Sequence, residues 1–176
     1  MRPGISIIVP TYNCSENLKK LLQSIFAQSL QPDEIIIVDS STDRSIEDLL
    51  TSLTSELPLI YKRSVKKYPG ENRNEGASTA SHEWLAFLDV GTIPRENWLK
   101  INMKLAIDEK YDVVFGNTKY RALNKFQMLL RAATYGSLGH ETTPGTLVQI
   151  KNFQKSGGFI EGIRAGEDQE WRLQIR

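Results

Sequence analysis

The chain has 176 residues, of which 40% are hydrophobic and 24% are charged, a composition typical of one globular domain with its own core. Its 22 basic and 21 acidic residues give a formal net charge of +1, so charge provides no argument for nucleic acid or an anionic membrane as the main partner. The single cysteine, Cys14, excludes an intrachain disulfide, and no apolar run is long enough for a membrane span. We therefore expect a cytoplasmic protein without a transmembrane segment, and peripheral association with the inner membrane surface stays open.

Short runs rich in apolar residues, the first of them β-branched, alternate with amphipathic segments along the first 115 residues. The runs predict strands at residues 5–9, 34–38, 59–62, 84–88 and 112–115. The segments between them predict helices at residues 16–28, after Asp43, through Ala77 and Ala80, and from Pro94 onward, with Asn13 or Ser15 as the cap of the first. Strands that alternate with helices imply an α/β fold in which a mostly parallel central sheet is covered by helices on both faces.

The pattern after Gly116 is less regular. It predicts a helix at residues 124–135, a long loop at 136–145, a strand at 146–150, and helices at 151–156 and 167–176. The apolar stripe of the first of these helices (Phe126, Leu129, Leu130 and Ala133) indicates packing, with contact to a membrane surface as the alternative. No repeat, low-complexity segment or linker divides the chain, so residues 1–176 are interpreted as one domain.

Polar residues follow three of the predicted strands, at residues 10–13 (PTYN), 39–43 (DSSTD) and 89–92 (DVGT). Ligands of an open parallel sheet bind beyond the carboxyl ends of the strands, so these groups are expected on one rim. The ring of Tyr12 could stack on a nucleobase, and the carboxylates of Asp39 and Asp89 could accept hydrogen bonds from a base or a ribose. The alternative is that these residues are helix caps and turn formers (Thr11, Asn13, Asp39 and Asp43), but their shared rim favours a nucleoside site.

Several common signatures are absent from the sequence. There is no GxGxxG after the first strand and no GxxxxGK[ST], which argues against dinucleotide oxidoreductases and P-loop phosphotransferases. The cysteine and the two histidines lack the spacing of a zinc site, and GxSxG of serine hydrolases is missing. The basic cluster YKRSVKK at residues 61–67 is typical of a solvated strand edge.

Five blocks of the sequence occur in a characteristic order: SIIVPTYN (6–13), EIIIVDSSTD (34–43), GENRNEGASTAS (70–81), FLDVGT (87–92) and SGGFIEGIRAGEDQEWRLQIR (156–176). In these blocks the chain resembles the family 2 glycosyltransferases. The resemblance implies the GT-A (nucleotide-diphospho-sugar transferase) fold, a nucleoside diphosphate sugar donor, a divalent metal and inverting transfer to an acceptor. It also implies a nucleotide-binding half at residues 1–115, an acceptor and catalytic half at 116–176, and further residues beyond Arg176 in the natural protein.

The resemblance assigns a first set of residues to the nucleotide. The nucleoside pocket would be lined by Pro10, Thr11, Tyr12 and Asn13. Asp39 matches the acidic residue that contacts the base. Arg73 and Asn74 match a pair that lies near the nucleotide, and a guanidinium fits the geometry of a diphosphate. The alternative for Arg73 is a surface ion pair with a nearby glutamate.

The resemblance leaves the metal site incomplete. Asp89 matches the first aspartate of the D-x-D signature, which approaches the ribose and the metal. Gly91 stands where the second carboxylate would be, so Mn²⁺ or Mg²⁺ would depend on Asp89, the diphosphate and water. His140 or Glu141, in the predicted loop, could supply the missing ligand. Alternatively, a cation such as Arg73 or Arg164 could neutralise the leaving diphosphate without a metal.

The last block contains the candidate base. Glu167 and Asp168 match the family's ED motif, in which the aspartate takes the proton of the acceptor hydroxyl as that hydroxyl attacks. The alternative is that both are favourable acids in the first turn of the last helix. Trp171 could be a platform for the acceptor sugar or a core residue.

These assignments predict a hexosyltransferase-type enzyme that moves a sugar, with inversion, from a UDP-linked donor to a hydroxyl in glycan or cell-surface polysaccharide synthesis. The acceptor would be a glycan, a lipid-linked molecule or another hydroxyl compound; no nucleic acid is expected, and a homodimer stays open. Two other classes compete: a non-catalytic nucleotide-sugar-binding domain, which Gly91 favours, and a structural or partner-binding domain. The enzyme interpretation requires four residues to converge around a single cleft along one edge of the sheet: Tyr12, Asp39, Asp89 and Asp168.

Overall fold

The computed structural model describes residues 2–53, 58–134, 136 and 138–176. The strands within these residues are β1 (Ile5–Thr11), β2 (Glu34–Asp39), β3 (Leu59–Arg63), β4 (Trp84–Phe87), β5 (Val113–Thr118) and β6 (His140–Gln149). The helices are α1 (Ser15–Phe26), α2 (Ser45–Ser52), α3 (Pro69–Thr79), α4 (Trp98–Asp108), α5 (Lys125–Thr134), α6 (Ile150–Lys155) and α7 (Glu167–Gln174).

The strands form one mixed sheet with the order β3-β2-β1-β4-β6-β5. β1 pairs in parallel with β2 and β4, and β2 pairs in parallel with β3, whereas β6 runs antiparallel to β4 and β5. The prediction of a mostly parallel sheet is therefore confirmed. The carboxyl ends of β1, β2, β4 and β5, at Thr11, Asp39, Phe87 and Thr118, lie at the same edge of the sheet, which we call the carboxyl edge.

β6 is longer than the sequence suggested. It begins at His140, so the loop predicted for residues 136–145 is wrong from His140 onward, and residue 137 lies outside the described residues. The stretch TTPG at residues 142–145 has turn composition, yet Thr142 lies opposite Gly116 of β5. A Cβ at Gly116 would lie 2.1 Å from the carbonyl oxygen of Pro144, so the glycine permits the close approach. Pairing with β5 overrides the local turn preference.

Helices cover both faces of the sheet, as predicted. On one face, Ile5, Ile7 and Val9 of β1 belong to a buried cluster with residues of α1, α2 and α4. On the other face, Ile8 and Phe87 belong to a second cluster with residues of α3, α6 and α7. β1 and β2 are buried along their whole length, as expected for central strands with continuous β-branched sequence.

Trp171 belongs to the second cluster and is fully buried. Its ring meets that of Phe87 edge to face, with the ring centroids 5.6 Å apart. Its Nε1–H donates a hydrogen bond to Ser156 Oγ at 3.0 Å, which satisfies the one polar atom of the indole. Trp171 is therefore a core residue, and its interpretation as a sugar platform was wrong.

Two helices differ from their predictions. α4 begins at Trp98 rather than near Pro94, because the preceding residues form a turn in which Trp98 N–H donates to the Arg95 carbonyl. α5 has no buried residue, so the predicted packing of its apolar stripe is wrong; its predicted end, Tyr135, lies outside the described residues. Within the described ranges, no helix combines the length and the apolar composition that crossing a membrane requires.

Candidate active site

Hydrogen bonds join the loops that follow β1 and β2. The backbone N–H of Asn13 donates to Ser41 Oγ at 2.8 Å, and the backbone N–H of Thr42 donates to Asn13 Oδ1 at 2.9 Å. Asn13 adopts a φ of 47°, a left-handed conformation that asparagine tolerates better than most residues. The cap of α1 is Cys14, without a side-chain cap bond, so the prediction of Asn13 or Ser15 as the cap was wrong. Asn13 instead ties the two loops into one rim.

Among the four residues predicted to line the nucleoside pocket, the side chains differ in access. Pro10 and Thr11 are buried in β1, in register with Val38 and Asp39 of β2. Tyr12 is 58% exposed, so its ring is accessible at the carboxyl edge. β1 is paired with β2 on one side and with β4 on the other, so the backbone that leads into Tyr12 is anchored in the sheet.

Asp39 is fully buried and surrounded by hydrogen-bond donors. Its Oδ1 accepts from the backbone N–H of Ser41 at 2.8 Å, and its Oδ2 accepts from Tyr61 Oη at 2.9 Å and from an Arg63 guanidinium nitrogen at 2.8 Å. Burial raises the pKa of Tyr61 above its ordinary value, so the phenol stays a donor at neutral pH. These hydrogen bonds from Tyr61 and Arg63 to Asp39 connect the end of β3 to the end of β2.

Sequence reasoning missed Tyr61 and Arg63 as members of this network. It treated the cluster at residues 61–67 as a solvated edge, whereas Arg63 forms an ion pair with the buried Asp39. Arg63 and Asp39 are register partners on neighbouring parallel strands, a pairing that the sequence alone does not indicate. Arg63 also brings a partly exposed guanidinium to the carboxyl edge, where an anionic ligand could meet it.

Arg73 joins the two halves of the candidate site. It projects from α3, is 3% exposed, and places one guanidinium nitrogen 2.7 Å from Asp89 Oδ1 and another 3.2 Å from Glu167 Oε1. Its guanidinium carbon lies 5.3 Å from the ring centroid of Phe159. The alternative predicted for Arg73, an ion pair with a glutamate, is observed with Glu167, but its predicted surface location is wrong because both side chains are buried. We call these contacts to Asp89 and Glu167 the Arg73 bridge.

The charge on Arg73 is stabilised by its neighbours. Burial by itself lowers the pKa of Arg73, but the adjacent carboxylates of Asp89 and Glu167 raise it by more, so the pKa lies above its ordinary value. Its Nε is buried and has no hydrogen-bond partner among the described residues. Arg73 is therefore permanently charged, and in the Arg73 bridge its charge is shared by two carboxylates from distant parts of the chain.

α3 can carry Arg73 inward because two of its glycines allow close packing. A Cβ at Gly76 would lie 2.5 Å from Ile8 Cγ2 of β1, and a Cβ at Gly70 would lie 2.7 Å from Glu167 Cγ. The helix thus approaches β1 on one side and the start of α7 on the other. The glycines of the GENRNEG stretch explain how a polar helix reaches a buried position.

Asn74, the neighbour of Arg73, contacts the chain before α7. Its Nδ2 donates to the carbonyl of Phe159 at 2.8 Å, and its Oδ1 accepts from the backbone N–H of Phe159 at 2.9 Å. The side-chain amide therefore replaces a backbone partner for Phe159. The assignment of Asn74 to the nucleotide stays a prediction, and its observed contacts are with the protein.

Asp89 follows β4 at the carboxyl edge, with its side chain 37% exposed. One carboxylate oxygen belongs to the Arg73 bridge, and the other has no partner within the described chain. A Cβ at Gly91 would meet nothing within 4 Å, so the position of the absent carboxylate is open space. Among the described residues, no three His, Cys, Asp or Glu side chains are grouped to hold a metal ion.

The two residues proposed to replace the missing ligand lie on β6. His140 is in register with Thr118 of β5. The carboxylate of Glu141 accepts hydrogen bonds from Arg176 at 2.6 and 2.7 Å, which directs it to the end of α7. Neither residue is grouped with Asp89 as a metal ligand set. Arg164, the alternative cation, is exposed before α7.

Glu167 and Asp168 open α7 but differ in access. Gly166, with a φ of 92°, precedes the helix, and Glu167 is buried in the Arg73 bridge. Asp168 is half-buried, and within the described residues its carboxylate accepts no hydrogen bond. The Arg73 bridge thus links Asp168, through its neighbour, to Asp89 at the carboxyl edge. Tyr12 and Asp39 lie at the carboxyl edge too, and the convergence of all four side chains around one cleft stays a prediction.

Comparison with known proteins is consistent with this arrangement. The model of a family described as glycosyl transferase family 2 matches residues 6–169. A protein of Haemophilus influenzae, named an uncharacterized glycosyltransferase, is 36% identical to this chain. The alignment has 188 positions and covers 97% of this chain and 61% of the relative. The chain spans 61% of the length of this relative and 25% of the length of a Rickettsia bellii protein that is also named an uncharacterized glycosyltransferase.

Two solved structures share the fold. TarS from S. aureus (residues 1–349) in complex with UDP superposes with a TM-score of 0.74 at 20% identity, over 98% of this chain and 54% of TarS. The mannosyltransferase PcManGT from Pyrobaculum calidifontis, in complex with GDP-Man and Mn²⁺, gives a TM-score of 0.72 at 21% identity, over 99% of this chain and 52% of PcManGT. The family match extends over nearly the whole chain, and the sheet order and the structural neighbours agree with it: the chain belongs to glycosyl transferase family 2 and has the GT-A fold.

Proposed function

We propose that this domain transfers a sugar from a nucleoside diphosphate sugar to an acceptor hydroxyl with inversion at the anomeric carbon. The Arg73 bridge carries the proposal, because one buried guanidinium holds Asp89 at 2.7 Å and Glu167, the neighbour of Asp168, at 3.2 Å. The carboxylate proposed for the donor side is thereby joined to the residue that precedes the candidate base. The accessible ring of Tyr12 at the same edge supports a nucleoside site beside them.

The proposed nucleotide is UDP. The similar TarS structure contains UDP and PcManGT contains GDP-Man, which supports a nucleoside diphosphate as part of the donor for this chain. In this chain Tyr12 would stack on the base, and the rim tied by Asn13 would border the nucleoside. Pro10 and Thr11 would contribute through the backbone of β1. Asp39 is fully buried, so its proposed role is to hold Tyr61 and Arg63 beside the base rather than to touch it.

The proposed chemistry uses Asp168 as general base. Its carboxylate would take the proton of the acceptor hydroxyl while the hydroxyl oxygen attacks the anomeric carbon from the face opposite the diphosphate. The new carbon–oxygen bond forms as the bond to the diphosphate breaks, which inverts the anomeric centre. Glu167 is engaged with Arg73, so its proposed role is to position the first turn of α7 rather than to touch the acceptor.

The residues fit a divalent ion held chiefly by the donor. Asp89 offers one oxygen without a partner among the described residues, and Mg²⁺ or Mn²⁺ bound to a diphosphate commonly needs few protein carboxylates and keeps waters. When bound, such an ion would neutralise charge on the leaving diphosphate. The mannosyltransferase with Mn²⁺ supports a divalent metal for the fold. We propose Mg²⁺ or Mn²⁺ as the divalent ion of this chain.

Gly91→Asp is expected to strengthen Mn²⁺ binding in the presence of UDP by roughly tenfold, about 1.4 kcal/mol. A side chain there meets open space, so the added carboxylate can approach the same ion as Asp89 without strain. Titration of Mn²⁺ followed by electron paramagnetic resonance would measure the change. The matched control is Gly91→Asn, which adds the same volume without charge. Equal affinity in the two variants would contradict a metal position beside Asp89.

Calorimetric titration with UDP tests the nucleoside site. We expect saturable binding to the unmodified chain, and Tyr12→Ala should weaken it by about 1–3 kcal/mol, the usual contribution of stacking between an aromatic ring and a base. Tyr111→Ala is the matched control, because Tyr111 is also about half exposed but precedes β5, at the opposite edge of the sheet. Absence of UDP binding by the unmodified chain would favour a structural domain.

A second candidate function is a nucleotide-sugar-binding domain without transferase activity. The single carboxylate at Asp89, with Gly91 in place of a second, favours it. Both candidates bind UDP, but only the enzyme releases UDP from a UDP-sugar in the presence of an acceptor. Screening UDP-sugars for released UDP would separate them. A hexose as the transferred sugar, a glycan or lipid-linked acceptor in polysaccharide synthesis, and a cytoplasmic location belong to the same proposal.

A further inference from the structure

The segment at residues 119–134, which we call the α5 segment, exposes its apolar side chains. Leu123, Phe126 and Leu129 are 74%, 73% and 70% exposed, and Met128 and Leu130 are also more than half exposed. None of the residues of α5 is buried. A cluster of large apolar side chains in water is unusual on a soluble domain and indicates an interaction surface.

The same segment carries unbalanced positive charge. Between Asp112 and Glu141 the sequence contains Lys119, Arg121, Lys125 and Arg131 and no acidic residue, although the whole chain is nearly neutral. Within the described chain, no ion pair joins any of these four cations to an acid. The overall charge balance therefore conceals one short cationic and apolar segment.

The α5 segment leaves the sheet beside the candidate site. It follows Thr118, the last residue of β5, and the carboxyl end of β5 lies at the same edge as the ends of β1 and β4. A surface that binds the α5 segment would therefore lie on the same side of the sheet as Tyr12 and Asp89. An acceptor or donor held on that surface would therefore already lie on the side of the protein where the site opens.

We propose that the α5 segment docks the protein on the surface of an anionic lipid bilayer. An amphipathic helix with large apolar residues and flanking lysines and arginines binds there by burying its apolar face at the headgroup level while its cations meet anionic headgroups. A second copy of the chain fits less well, because a two-fold contact through this segment would bring two sets of the same four cations together. Charge complementarity thus selects the lipid surface.

Cosedimentation with vesicles tests the proposal on the whole chain. Vesicles of phosphatidylcholine and phosphatidylglycerol in equal parts are expected to bind the protein, with at least about tenfold weaker binding to pure phosphatidylcholine or in high salt. The double variant Phe126→Ser/Leu129→Ser should lose roughly tenfold or more in binding, as should Lys119→Gln/Lys125→Gln. All four side chains are exposed, so circular dichroism should show an unchanged fold.

The matched control is Ile101→Ser/Ile107→Ser on α4, which removes two apolar side chains that are 60% and 51% exposed outside the α5 segment. This control should bind vesicles like the unmodified chain. Equal binding to neutral and anionic vesicles, or undiminished binding by the α5 variants, would overturn the proposal. The proposal would also be overturned by a pair of results. Sedimentation velocity would show that the unmodified chain is a dimer which dissociates in Phe126→Ser/Leu129→Ser, and neither of these two proteins would bind vesicles.

Discussion

Asp168→Asn is expected to slow sugar transfer by about 10²–10⁴-fold and to leave UDP binding unchanged. The asparagine keeps the shape of the side chain but cannot take a proton from the acceptor hydroxyl. Because the Asp168 carboxylate accepts no hydrogen bond within the described residues, the substitution should not disturb the start of α7. Initial rates of UDP release at saturating donor, together with calorimetry for UDP, would measure both parts of the prediction.

Glu170→Gln is the matched control for this experiment. Glu170 lies two residues further along the first turn of α7 and is exposed, so it shares the favourable position of an acid near a helix N-terminus. If Asp168 mattered only as a first-turn acid, both variants would have the same small effect. A normal rate in Asp168→Asn would refute its assignment as the base, and weaker UDP binding in that variant would show that it contacts the nucleotide.

The architecture could be predicted because it depends on local pattern. Continuous apolar runs such as residues 35–38 are characteristic of central parallel strands, and the intervening amphipathic segments fit helices on both faces. The prediction of β6 was incomplete because its TTPG stretch has turn composition. That strand is specified by its partners and by the room that Gly116 leaves, and neither is visible in a single segment.

The candidate site was predictable as a set of strand ends but not as a network. The three polar loops identify the carboxyl edge, since parallel strands end together there. The contacts of Asp39 with Arg63, and of Arg73 with Glu167, join residues 24 and 94 positions apart in the chain. Sequence spacing alone does not indicate such contacts. They depend on the order of strands in the sheet and on the close approach of α3 to β1, which Gly76 allows.

Arg73→Met is expected to lower the free energy of unfolding by about 3–5 kcal/mol, because the buried Glu167 carboxylate loses its partner. For a domain of this size the melting temperature should fall by roughly 6–20 °C. Arg44→Met is the matched control, since Arg44 forms a solvent-exposed pair with Glu47 whose loss should change stability little. Urea unfolding of both variants, with calorimetric melting, would measure the difference.

The double variant Arg73→Met/Glu167→Gln identifies the cause of that loss. If an uncompensated buried charge is responsible, removing the charge of Glu167 should recover roughly 2 kcal/mol relative to Arg73→Met alone. If the loss came from packing against Phe159, the second substitution would recover nothing, and the account of the Arg73 bridge as an electrostatic link would fail. Recovery would instead mean that the start of α7, and Asp168 with it, is held against Asp89 by one buried cation.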